Sequence, residues 1–96
     1  MHVISRKCLS RFWEVHADAE VPLRAWYKVA TTADWEKFAG VRAGFPAADQ
    51  VGRFTVFNIG GNKYRLIAAI HFNRGMVFVR QVLTHSDDNK GSWKDG

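Results

Sequence analysis

The sequence predicts an α+β domain, with helices in the first half of the chain and an antiparallel β-meander in the second. Three observations carry that prediction. Apolar residues between Leu9 and Ala30 recur at the i, i+3, i+4, i+7 spacing of a single helix face. From about Gly52 the apolar period falls to two, the signature of strands. The turn-forming triplets Gly60-Gly61-Asn62 and Asn73-Arg74-Gly75 then divide the apolar second half into three strands.

Taken in order, Met1 to Ser5 is a short segment with room for an edge strand, and Ser5 is placed to cap a helix. Leu9, Phe12, Trp13 and His16 line the inner face of that first helix. Leu23, Trp26, Tyr27 and Ala30 repeat the spacing in a second, with Pro22 in the first turn, where its missing N–H costs nothing. Asp34 to Phe38 reads as a short third helix, ended by Gly40, Gly44 and Pro46. The strands follow as Phe54 to Ile59, Tyr64 to Phe72 and Met76 to Thr84. Elements segregated in this way pack as a layer of helices on one face of an antiparallel sheet.

At 96 residues the chain is expected to form one domain, spanning 1–96, with a single core. Its 47% hydrophobic and 24% charged content excludes a disordered tail. The single cysteine, Cys8, cannot close an internal disulfide, and no Cys/His spacing matches a zinc site, so no metal or cofactor is expected. No apolar run reaches the roughly 18 residues of a membrane span, and the N-terminus lacks a signal-peptide core. The expectation is a cytoplasmic protein without a membrane partner.

Net charge is +5, and its distribution says more than its total. From Gln50 to Ser86 there are five cations, Arg53, Lys63, Arg65, Arg74 and Arg80, and no Asp or Glu. A sheet that carries only positive side chains suits a polyanion. It also suits a solvated sheet whose Lys and Arg block edge-to-edge aggregation. Charge alone leaves both readings standing.

The run "VFNIGGNKYRLI", Val56 to Ile67, followed by "VLTHSDDNKGSWK", Val82 to Lys94, resembles the HigB toxin family. This is a RelE-like branch of the bacterial type II toxin–antitoxin systems. Looser agreement through Leu23, Trp26, Trp35 and "AADQVG" extends the resemblance over nearly the whole chain. It implies a RelE-like fold and an mRNA interferase that cleaves messenger RNA on translating ribosomes. It further implies a HigA-type helix-turn-helix antitoxin, through which alone the protein would meet operator DNA.

Metal-free RNA cleavage sets the ribose 2′-OH on the adjacent phosphate. It needs a base, an acid and cations for the charge on phosphorus. Arg65, one residue into a strand after a tight turn, offers a planar fork that grips two phosphate oxygens together. His85 is the candidate proton carrier, because imidazole titrates near neutral pH. Arg80 interrupts an apolar strand and must reach solvent, a carboxylate or RNA. Strict alternation puts it on the parity opposite to His85, so a bulge, or His85 lying just past the strand, is needed to bring both to one pocket. Lys63, Asn58, Lys90 and Lys94 are candidate RNA contacts, and Trp93 a candidate stacking platform. Trp35 reads as core.

The tail departs from the family pattern. Where relatives run x-Glu-Tyr-Asp-Lys after Thr-His, this chain has Ser86-Asp87-Asp88-Asn89-Lys90. Asp88 replaces an aromatic hydroxyl and would repel phosphate. The alternative expectation is therefore a weakened or inactive RNA-binding homologue that acts mainly through its antitoxin complex.

Overall fold

The computed structural model describes residues 1–4 and 6–86. Three helices lie against a five-stranded mixed sheet. In chain order the elements are β1 (His2–Ile4), α1 (Arg6–Val15), a 3₁₀ turn (Ala17–Ala19), α2 (Glu20–Thr32), α3 (Phe38–Gly44), β2 (Asp49–Val51), β3 (Phe54–Ile59), β4 (Tyr64–His71), a second 3₁₀ turn (Phe72–Arg74) and β5 (Met76–Thr84). The spatial order of strands is β1-β5-β4-β3-β2, with β1 parallel to β5 and every other pair antiparallel.

The meander of β3, β4 and β5 is the one the period-two pattern predicts. The sheet is wider than that pattern, however. The N-terminal segment does form a strand, and β2 adds a further edge that its polar, exposed Asp49-Gln50 gives no sign of. Gly60 and Gly61 take positive φ, 62° and 70°, which lets the chain reverse between β3 and β4.

Helix-side residues of the meander (Phe57, Leu66, Ala68, Val77 and Val82) join Leu9, Leu23, Trp26 and Ala30 in one core. Burial of that shared apolar face is what holds helices and sheet together. Trp26 and Phe57 meet edge to face at the centre, their ring centroids 5.4 Å apart.

The third helix is not where the sequence predicts it. Asp34 to Lys37 is non-helical, and α3 begins at Phe38 and runs through both Gly40 and Gly44. The reason is Trp35. Buried against Phe45 and Phe57, it draws its stretch of chain into the core as irregular backbone. Tertiary burial of one indole overrides the low helix propensity of two glycines. Trp35 is thus core, as expected, but from a loop. The expected cap Ser5 lies outside the described residues. Among those residues, no helix is long and apolar enough to cross a membrane.

Candidate active site

Side chains that alternate away from the helices form the sheet's second face, and among the described residues no helix packs on it. Its centre is a small apolar patch of Phe54 and Ile67, flanked by Val56, Ala69 and Leu83. Polar residues occupy both ends.

At one end, Asn58 of β3 pairs with Arg65 of β4, and Arg65 with Leu83 of β5. Tyr64 pairs with Thr84, so His85 sits just past the end of β5. Its backbone N–H donates to the Lys63 carbonyl at 3.1 Å. The Arg65 guanidinium folds back over the turn: Nη1 donates to the carbonyls of Asn62 and Tyr64, at 3.3 and 3.2 Å. Nη2 lies 3.1 Å from His85 Nδ1. Because a guanidinium only donates, Nδ1 is the acceptor of this contact when the imidazole carries its proton on Nε2. The guanidinium after the Gly-Gly-Asn turn and the imidazole at the end of the meander therefore do converge.

A second layer supports this end of the sheet. Asp18, in the 3₁₀ turn between α1 and α2, accepts from Lys63 Nζ at 3.1 Å and from the Tyr64 hydroxyl. The Tyr64 bond, reinforced by Lys63, holds the Asp18 carboxyl below its ordinary range. The same bond raises the Tyr64 phenol above its own. Phe12 and His16, at and just past the end of α1, pack around the Tyr64 ring at centroid distances of 5.2 and 5.5 Å. Lys63, expected to meet RNA directly, is thus engaged with a carboxylate. Nothing local in the sequence signals Asp18, whose partners lie 45 and 46 residues away.

Arg80 is not beside Arg65 and His85. Register slips between Ile67 and Ala68, whose partners are Gln81 and Val79, so Arg80 is the extra residue of a β-bulge. The bulge inverts parity along β5. Val79 and Val82 both face the helices, whereas Leu83 packs with the outer patch. It also frees Arg80 from the strand's apolar side. Its guanidinium lies over the Phe54 ring, 5.8 Å from the centroid. Thr55 pairs with Ala68, so Phe54 stands level with Ala69, four positions along β4 from Arg65. At about 3.3 Å per residue that separation is roughly 13 Å. The expectation of one pocket holding all three groups is corrected: two converge, and Arg80 belongs to the other end of the face. There, with Arg53, His71 and Phe78, it lines a shallow groove of about 420 Å³. Lys90, Trp93, Lys94 and the substituted Asp88 lie outside the described residues.

Three helices backing a mixed sheet whose outer face is basic and carries an arginine–histidine pair at one end constitute a RelE-like toxin domain. Residues 19–91 match the HigB_toxin family, the RelE-like toxic component of a toxin-antitoxin system. The chain belongs to that family, and an antitoxin is accordingly its partner. It is 29% identical over 90 residues to the mRNA interferase toxin HigB of Escherichia coli strain K12, covering 91% of this chain and 86% of that protein. It is 27% identical over 93 residues to the mRNA interferase HigB of Escherichia coli O6:H1, covering 94% and 90%.

Proposed function

We propose that this toxin is a metal-independent endoribonuclease of messenger RNA, acting on translating ribosomes in the cytoplasm. The Arg65–His85 contact is the observation that carries the reading. At rest the guanidinium occupies Nδ1 of the imidazole. A phosphate offers the same guanidinium two anionic acceptors and a stronger, charge-assisted pair. When Arg65 turns to the phosphate, Nδ1 is released as a base next to it. His85 then takes the proton of the ribose 2′-OH. The 2′ oxygen bonds to phosphorus as the P–O5′ bond breaks, leaving a 2′,3′-cyclic phosphate, and the departing 5′ oxygen takes a proton from water. Arg65 balances the charge that grows on the phosphoryl oxygens. Asn58 pairs with Arg65 in register, which supports a role for it in bonding the sugar–phosphate chain.

Dependence on the ribosome follows from how little this constellation contains. Among the described residues it offers one imidazole and one guanidinium, and where the family pattern carries a tail tyrosine this chain has Asp88. Positioning by a large external template supplies the orientation such a sparse site lacks. The proposed antitoxin is a HigA-like helix-turn-helix protein, and operator DNA is reached only through it.

The test is Arg65→Ala, assayed for mRNA cleavage with and without ribosomes and for growth arrest on expression. Cleavage by the wild type should require ribosomes, and the variant should lose at least about 10²-fold in rate, as removal of a main charge stabiliser does. A folded Arg65→Ala that stays fully toxic rejects the assignment. No cleavage by the wild type, together with cleavage gained on Asp88→Tyr, would establish the weakened homologue instead.

A further inference from the structure

The strongest positive cluster outside the Arg65–His85 pair lies at the edge of the sheet. Because β1 pairs only with Met76 to Phe78, no strand among the described residues covers that edge of β5 from Val79 onward, and α1 runs beside it. Between them is a groove of about 600 Å³ lined by Arg6, Lys7, Cys8, Arg11, Val79 and Arg80. All four cations are exposed, and none of them makes an ion pair among the described residues. Burial pushes the Cys8 thiol up, so it adds no negative charge to offset them. The acid nearest in sequence on the helix, Glu14, follows Arg11 by three residues and pairs with none of the four.

This arrangement breaks three local rules at once. The first turn of α1 carries two cations and no acid, against the helix dipole. Lys7 and Arg11 are like charges at i, i+4. A bulge is spent on turning a fourth cation, Arg80, toward the same place. Local rules broken together, with no compensating carboxylate among the described residues, mark a surface whose partner is external and negative. Arg80 joins this groove to the outer face, since its guanidinium also lies over Phe54. Cations therefore stand at both ends of the outer face, Arg65 at one and Arg80 at the other with the apolar patch between them, and continue from Arg80 around the edge to α1.

We propose that the groove of Arg6, Lys7, Arg11 and Arg80 is a second anion site, holding the sugar–phosphate backbone of the bound RNA several nucleotides beyond the scissile position. The proposal rests on the nuclease reading for its ligand and extends it. A single strand leaving the Arg65–His85 end would cross the apolar Phe54–Ile67 patch to reach the groove.

The test measures binding of uncleavable 2′-O-methyl RNA by wild type and by Lys7→Ala/Arg11→Ala across a salt series, using a trinucleotide and a twelve-nucleotide strand. The two proteins should bind the trinucleotide alike, because it is filled by the Arg65 end. For the longer strand the double variant should bind several-fold more weakly, and its slope of log affinity against log salt should shrink by about 0.7 for each phosphate no longer neutralised. An unchanged slope on the twelve-mer, with circular dichroism showing an intact fold, overturns the proposal. So does loss of binding to an acidic peptide such as polyglutamate with RNA binding unchanged, which would assign the groove to a protein partner. A wild type that binds the long strand with the predicted slope but never cleaves mRNA would reject the nuclease and leave the groove standing.

Discussion

The two faces of one sheet are built from the same three strands and do opposite things. Toward the helices, Phe57, Leu66, Ala68 and Val77 are fully buried and carry no polar atom in their side chains. On the other face, neighbouring positions of those strands are Asn58, Arg65 and Arg80, around a patch with only Phe54 and Ile67 fully inside. A strand's period of two makes this division possible, because adjacent residues point to opposite faces except at the Arg80 bulge. Stability and chemistry can then be altered almost independently.

The largest expected effect breaks the covered face. Trp26 is 1% exposed and packs on Phe57, and its indole N–H has no hydrogen-bond partner among the described residues, so its contribution is chiefly packing. Trp26→Ala should cost about 3–5 kcal/mol of folding stability by urea titration. His85→Ala, on the uncovered face, should do the reverse. Cleavage should fall by about 10²-fold or more for loss of the proposed proton carrier, while stability stays within about 0.5 kcal/mol, as for an exposed residue. If its urea midpoint dropped as far as that of Trp26→Ala, the separation of roles between the faces would collapse.

How much of this is legible in the sequence depends on the range over which each feature is decided. The meander, the first two helices and the turn at Gly60-Gly61 are set by neighbours a few residues apart, and periodicity reads them directly. The pairing of Arg65 with His85 is accessible too, since a three-strand meander returns the end of β5 to the start of β4. The position of α3 is not, because Trp35 is drawn in by Phe57, more than twenty residues on. The bulge at Arg80 is equally hidden. Alternation counted through it assigns every later residue of β5 to the wrong face, and the extra residue is visible only in the register with β4. Sequence reasoning therefore leaves the relation of Arg80 to Arg65 and His85 open, whereas the fold puts it a groove away from them. The edge groove escapes for a related reason: Arg6, Lys7 and Arg11 are ordinary cations of a helix's exposed side until β5 is laid next to them.

Asp18 is where the two faces communicate, and it gives the smallest and sharpest prediction. Its carboxylate, on the helical layer, ties down Lys63 and Tyr64, the residues on either side of the point where the turn becomes β4. The carbonyls of Lys63 and Tyr64 in turn hold the His85 backbone and the Arg65 guanidinium. Asp18 is thus a positioning residue that acts through the turn. Asp18→Asn keeps an acceptor for Tyr64 and discards the ion pair with Lys63, so cleavage should fall only several-fold, with the ¹⁵N signals of His85 shifting as Arg65 loosens. The pH dependence has a definite sign. The Asp18 carboxyl is depressed in the folded state, so its contribution is complete above the unfolded carboxyl value near 3.9 and is lost as pH falls through the lower folded one. The Tyr64 phenol is raised, so its contribution is complete below about 10 and is lost as pH rises through the higher folded value. Wild type should therefore lose stability below about pH 4 more steeply than Asp18→Asn, with the two urea midpoints converging in acid. Midpoints that stay parallel from pH 5 to pH 2, with His85 signals unmoved by the substitution, would leave Asp18 a surface carboxylate and the two faces uncoupled.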